Sequence, residues 1–285
     1  MSASRVRRGT TGYPRLLAAI YDPPPQLWVR GGGELAVLER PCLAVVGARS
    51  CSSYGRAVAR SLARDAAAAG AVVVSGLARG IDGEAHRGAL DAGGVTAAVL
   101  GCGIDRDYPA AHAELARRIS ETGLVVSEYE PGVEPAPWRF PARNRIIAGL
   151  SRAVVVVEAR ERSGALITVD FALEQGRDVL VVPGEITSAL SAGSNALLRH
   201  GAAPALSVDD VLEAIGVVAE RPVRAEPEGD AARVLEVLRD APATVDEIAR
   251  AVALPAADVA ALLTALELDG LVEAGDGAYR ATIAA

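Results

Sequence analysis

The chain has 285 residues, 51% of them apolar, and carries seven more negative than positive charges. That length holds one large domain and a small one, and the apolar content excludes an intrinsically disordered chain. All 29 cations are arginine, because the sequence contains no lysine, and each offers a planar fork suited to phosphate or carboxylate.

Residues 1–12 read as a flexible tail. Arg5, Arg7 and Arg8 precede no apolar run, so no signal peptide is expected. From 13 to 216, short Val-rich runs at 43–48, 71–75, 96–100, 124–127, 153–158 and 179–182 alternate with helical spacing at 55–69, 81–92, 110–122 and 165–175. Continuous apolar runs of strand length are how parallel strands buried on both faces read. Their alternation with helices predicts an α/β fold, a doubly wound, mostly parallel sheet. The apolar runs are too short to cross a membrane. Residues 217–229, with two prolines and mixed charge, read as a linker. Beyond them, helices at 231–239, 245–251 and 256–268 precede two short strands around Gly275 and Gly277, the layout of a small winged-helix-like domain over 230–285. Thr244 and Glu247 have capping-box spacing. Residues 228–285 hold 11 acids and 4 arginines, so the whole excess of negative charge lies there.

Candidate site residues fall where strands give way to helices, the place at which such sheets hold ligands. "VVGARSCSSYG" supplies Gly47, Arg49 and Ser50. "VVSGLARGIDGEAH" supplies Gly76 and Gly80 for close backbone approach, Arg79 between them, and Asp82. His86 stands four residues after Asp82, and a structural His–Asp hydrogen bond is expected there over an acid–base pair. "WRFPARNRIIAGLSRA" concentrates Arg139, Arg143, Arg145 and Arg152 in a stretch without acids, with Asn144 among them. Trp138 and Phe140 could stack on bases, but core packing is the favoured reading. Ser163 and Gly164 open another helix, and "SAGSNALLRHGA" offers Gly193 and Asn195. Repeated loops of this kind imply either a broad polyanion site or one nucleotide pocket. There is no GxxxxGK[ST], no GxGxxG after the first strand and no GxSxG. Cys42, Cys51 and Cys102 lack metal-ligand spacing, so no metal or cofactor is expected and the setting reads as cytoplasmic.

At "VVSGLARGIDGEAH", "FPARNRIIAGLS", "SGALIT" and "VPGEI…SAGSNALLRHGA", with "YP" at 13–14 and "GCGIDRDYP" at 101–109, the sequence resembles the DprA/Smf family of DNA-processing proteins. The resemblance covers roughly 13–216. It implies an extended Rossmann-like domain that binds single-stranded DNA without ATP or metal, delivers it to RecA recombinase in natural transformation or related recombination, forms a homodimer, and is not an enzyme. Carried over by motif, Gly47, Arg49, Ser50, Arg79, Gly80, Asp82, Arg143, Asn144 and Arg145 are the DNA-contacting residues. Ala110, Ala111 and His112 stand where the family usually has Asn and a basic residue, which removes one expected contact. The helical module that many members carry before this domain is not expected here. The C-terminal piece resembles the family's winged-helix appendage, but its net charge of −7 predicts a protein-contact or regulatory role rather than duplex binding. The alternative is a nucleoside monophosphate phosphoribohydrolase. That relation is weakened because "VPGEI" lacks the second glycine of the corresponding signature.

Overall fold

The protein is described by a computed structural model covering residues 3–218, 227–275 and 277–282. The chain divides into two compact units, 1–219 and 220–284. The first begins β1 (Ser4–Arg7), α1 (Arg15–Ala18), β2 (Gln26–Arg30), β3 (Cys42–Val46), α2 (Ser53–Ala68), β4 (Val72–Ser75), α3 (Ile81–Asp91) and β5 (Thr96–Leu100). It continues α4 (Ala113–Thr122), β6 (Leu124–Ser127), α5 (Arg139–Leu150), β7 (Ala153–Val156), α6 (Gly164–Glu174) and β8 (Asp178–Val181), then α7 (Ala192–Arg199), β9 (Ala203–Pro204) and α8 (Val208–Ile215).

These strands form one sheet in the order β1-β2-β6-β5-β4-β3-β7-β8-β9. The run from β6 to β9 is parallel throughout. Alternate strand residues serve opposite faces, and both faces are buried. Ala44, Val46, Val74, Val154 and Val156 pack in one layer with Ile146, Leu150 and Val169 of α5 and α6. Leu43, Val45 and Val155, pointing the other way, are equally excluded from water. This is why the sequence shows unbroken apolar runs rather than alternation.

Three strands escaped the sequence reading. β1 and β2 join the β6 edge antiparallel. β1 is largely exposed and arginine-rich, β2 is half-buried behind a proline run, and β9 has only two residues, so none carries a buried Val-rich signature. Residues 4–7 are therefore an edge strand, not part of a loose tail.

In the second unit, α9 (Gly229–Asp240), α10 (Val245–Val252) and α11 (Ala256–Leu268) precede the hairpin β10 (Val272–Gly275) and β11 (Ala278–Ala281). Val234, Leu238, Ile248, Val259 and Leu263 form its own core. Thr244 and Glu247 make the expected capping box. The first helix starts at Gly229, inside the stretch read as linker; residues 219–226 of that stretch lie outside the described residues.

Candidate nucleic-acid interface

The strand order sets the position of the site. From β3 the chain winds through β4, β5 and β6 to one side, and then α5 carries it back across to β7 on the other side of β3. The loops leaving β3 and β7 diverge and open a crevice at the carboxyl rim, the ligand position of such sheets. A cavity of about 490 Å³ lies there, lined by Gly47, Arg49, Ser50, Asp82, Phe140, Arg143, Asn144, Ser163 and Gly164, together with Arg160 and Arg162. Nine of the residues picked from the sequence thus converge on one cavity.

The loop 76–80 is held from three sides. Asp82 accepts the Gly76 and Ala78 N–H groups at 3.1 and 3.3 Å. Arg143 donates to the Gly76 carbonyl at 2.8 Å and to the Val99 carbonyl. His112 Nδ1 bonds the Leu77 carbonyl at 2.9 Å. Leu77 sits at φ +59° and Gly80 at +74°, so the loop contains a left-handed leucine that this bracing must enforce. Gly76 has no Cβ because the Arg143 guanidinium and Asp82 carboxylate occupy that space. Gly80 has none because the Ala48 carbonyl does. The result is an exposed Arg79 at the loop tip.

Two arginines do not offer the free forks the sequence suggested. Arg143 is only 4% exposed, and burial pushes its guanidinium down to about 10, with Asp82 opposing that shift. Burial in turn raises Asp82, offset by Arg143 and the two loop N–H groups. Both are struts of the 76–80 loop. Arg145 makes a two-pronged pair with Glu128 at 2.9 and 2.8 Å and reaches Asp22 at 3.1 Å. Burial opposes its charge, and the bonds to Glu128 and Asp22 outweigh that, raising its pKa.

Gly193 and Asn195 are likewise internal. A Cβ on Gly193 would strike the Arg160 carbonyl, and the Asn195 amide clamps both backbone groups of Gly184. His86 does not meet Asp82: its Nδ1 bonds Thr96 Oγ1 at 2.7 Å, and burial pushes its pKa down to about 3, leaving it neutral.

The exposed cations at the cavity are Arg49, Arg160 and Arg162, with Arg79 exposed on the neighbouring 76–80 loop, and none of the four has a carboxylate partner among the described residues. Arg160 and Arg162 were missed by the sequence reading, although both directly follow the switch-point strand β7. The aromatics also differ from expectation. Trp138 is 62% exposed, and Phe140 is half-buried rather than core. Phe140 stacks on Tyr108 at 5.2 Å with the Arg49 guanidinium over its ring at 5.6 Å. Arg139 lies over Trp138 and Tyr129 at 4.8 and 5.1 Å. Arginine interleaved with accessible aromatic faces suits a polymer of phosphates and bases.

One residue that sequence reasoning passed over closes the start of α2. Glu158, 3% exposed, accepts the Ser52 N–H at 2.9 Å and the Ser52 hydroxyl at 2.5 Å. Its carboxylate thus sits at the N-terminus of α2, where a Rossmann-like fold places a nucleotide phosphate. A Cβ on Gly55 would lie 2.5 Å from it. The N-terminus of α6 contrasts with this: no acid stands in its first turn, Ser163 caps Ala165 N–H at 3.3 Å, and a Cβ at Gly164 would meet nothing. Among the described residues no cluster of three or more His, Cys, Asp or Glu could hold a metal, and no single helix is long and apolar enough to cross a membrane.

Fold and site together define a Rossmann-like α/β protein with an arginine- and aromatic-lined cleft at its switch point, followed by a winged-helix unit. Residues 5–216 match the family model of DNA recombination-mediator protein A, and 218–278 match the DprA winged helix domain. The protein Smf of Escherichia coli is 40% identical over 279 residues, covering 94% of this chain and 74% of that one. The X-ray structure of DNA processing protein A from Streptococcus pneumoniae superposes with a TM-score of 0.70 at 45% identity, over 74% of this chain and 73% of that one. The Helicobacter pylori counterpart, whose structure addresses its single-stranded DNA binding mode, gives 0.67 at 30% identity over 74% and 94%. The chain belongs to the DprA/Smf family of DNA recombination mediators.

Proposed function

We propose that the N-terminal unit binds single-stranded DNA along the carboxyl rim of its sheet, without ATP or metal, and delivers it to RecA recombinase. The observation that carries this is the set of exposed guanidinium groups of Arg49, Arg160 and Arg162 around the switch-point cavity and of Arg79 on the adjoining loop, next to the accessible rings of Tyr108, Trp138 and Phe140. Phosphates would meet the guanidinium groups and the open N-terminus of α6, and bases the rings. Family membership supports the recombinase step and a homodimer. The acidic winged-helix unit would contact protein rather than duplex DNA.

The phosphoribohydrolase reading loses ground at Glu158, whose carboxylate fills the α2 phosphate position. A labelled oligothymidylate titrated with the full chain, then competed with unlabelled single strand, duplex and thymidine monophosphate, tests the proposal. Single strand should compete best by at least tenfold. Equal competition by the mononucleotide, or release of free base from it, would overturn the reading. Faster RecA nucleation on single-stranded DNA in the presence of this protein is the expected sign of delivery.

A further inference from the structure

The far edge of the same rim carries a group of side chains that neither the switch-point cavity nor the fold uses. β1 runs antiparallel to β2, with Arg7 opposite Gln26, and β2 runs antiparallel to β6, with Trp28 opposite Ser127. The end of β1 and the start of β2 therefore come out at the carboxyl rim of the parallel strands, on the same side as the cavity. The connecting backbone there is fixed. Arg8 N–H donates to the Pro25 carbonyl at 3.0 Å, Thr10 Oγ1 to the Arg7 carbonyl at 2.7 Å, and the Tyr13 hydroxyl to the Pro24 carbonyl at 2.7 Å. Asp22 is tied through Arg145 to Glu128, the residue that follows β6.

On this rigid ledge Arg7 and Arg8 are exposed, with no carboxylate partner among the described residues. Tyr21 is wholly exposed, at 103%. Its ring supports no core, and the Asp22 tie holds its backbone at the rim. Between this ledge and the cavity stand Trp138, Tyr129 and Arg139. Cations and open rings thus recur along the rim from β7 to β1, six strand spacings or about 29 Å at ~4.8 Å each.

We propose that Tyr21, Arg7 and Arg8 form a second subsite for single-stranded DNA, in which a base stacks on Tyr21 and the two guanidinium groups hold its flanking phosphates. This rests on the single-stranded DNA reading above and adds a length to it. A hexamer, about 20 Å at ~3.4 Å per stacked nucleotide, fills the switch-point site alone. A 20-mer reaches both.

The test is fluorescence anisotropy of the full chain with dT6 and dT20, using Arg7→Glu/Arg8→Glu, Tyr21→Ala and Arg49→Glu variants. The edge variants should melt with the wild type, because their side chains leave the core untouched. Each should weaken dT20 about tenfold and leave dT6 within twofold. The double variant should also lower the dT20 salt slope by about 1.4, at ~0.7 per phosphate contact. Unchanged dT20 affinity in both edge variants, or equal loss at both lengths, overturns the subsite. Lowered RecA delivery with unchanged dT20 affinity overturns it too, in favour of a protein contact. If the wild type binds neither oligonucleotide, the underlying reading fails. If Arg49→Glu weakens both lengths while the edge variants weaken neither, only the subsite fails.

Discussion

The two units of this chain use arginine in opposite ways. In the first, 25 arginines balance 25 acids over residues 1–227, yet the exposed Arg49, Arg160 and Arg162 stand together around one cavity. In the second, the third helix α11 is the element a DNA-reading fold would present to a groove. Its exposed positions are Ala256, Ala257, Asp258, Ala260, Ala261, Thr264, Ala265, Glu267 and Leu268, with no cation among them. A fold able to dock DNA is thus not enough: cations must stand where the phosphates would lie.

That contrast can be broken most forcefully at the rim. Arg49→Glu combined with Arg162→Glu should reduce single-strand affinity on the order of a hundredfold and flatten the salt slope by about 1.4, at ~0.7 per contact. Anisotropy titrations between low and moderate salt measure both. Unaltered values would remove the rim from the interface.

Arg143→Ala sharpens the comparison inside the rim itself. Arg143 is a strut, so its loss should appear first as instability. It leaves the Gly76 and Val99 carbonyls and the buried Asp82 carboxylate without their cation. A cost of roughly 3–5 kcal/mol is expected for breaking such a buried arrangement. At about 2–4 °C per kcal/mol for a domain of this size, that is a fall in Tm on the order of 10 °C. Calorimetry should show it, and an unshifted Tm with lost binding would return Arg143 to the contact list.

The smallest expected effect is a gain in the second unit. Ala257→Arg, Ala261→Arg and Ala265→Arg together should confer weak, salt-sensitive duplex binding on the full chain while leaving the single-strand slope as it was. Wild-type duplex binding as tight as the triple variant's would show that charge does not exclude DNA here.

The parallel strands were legible because burial on both faces forces runs such as "AVVV" and "CLAVV", and the capping box at Thr244 marked its helix directly. β1 and β2 were not, since an exposed edge strand and a half-buried strand beside it leave no such run. At the site, motif position identified which loops converge but not how each side chain is spent. Arg145 and Arg49 look alike in sequence; one is held by Glu128 and the other lies over Phe140, and only tertiary pairing separates them. Arg160 and Arg162 could have been found from their place after a switch-point strand. Tyr108 and Tyr129 could have been flagged by the scarcity of aromatics in the chain.

Glu158 carries a consequence for how such a protein lets go of its cargo. Many proteins built on related sheets time their grip by cleaving or exchanging a nucleotide seated at the first helix. Here that seat is filled by a side chain that cannot leave. On the function proposed above, the grip has no internal clock, so release must be imposed from outside, by rising ionic strength or by another protein displacing the strand.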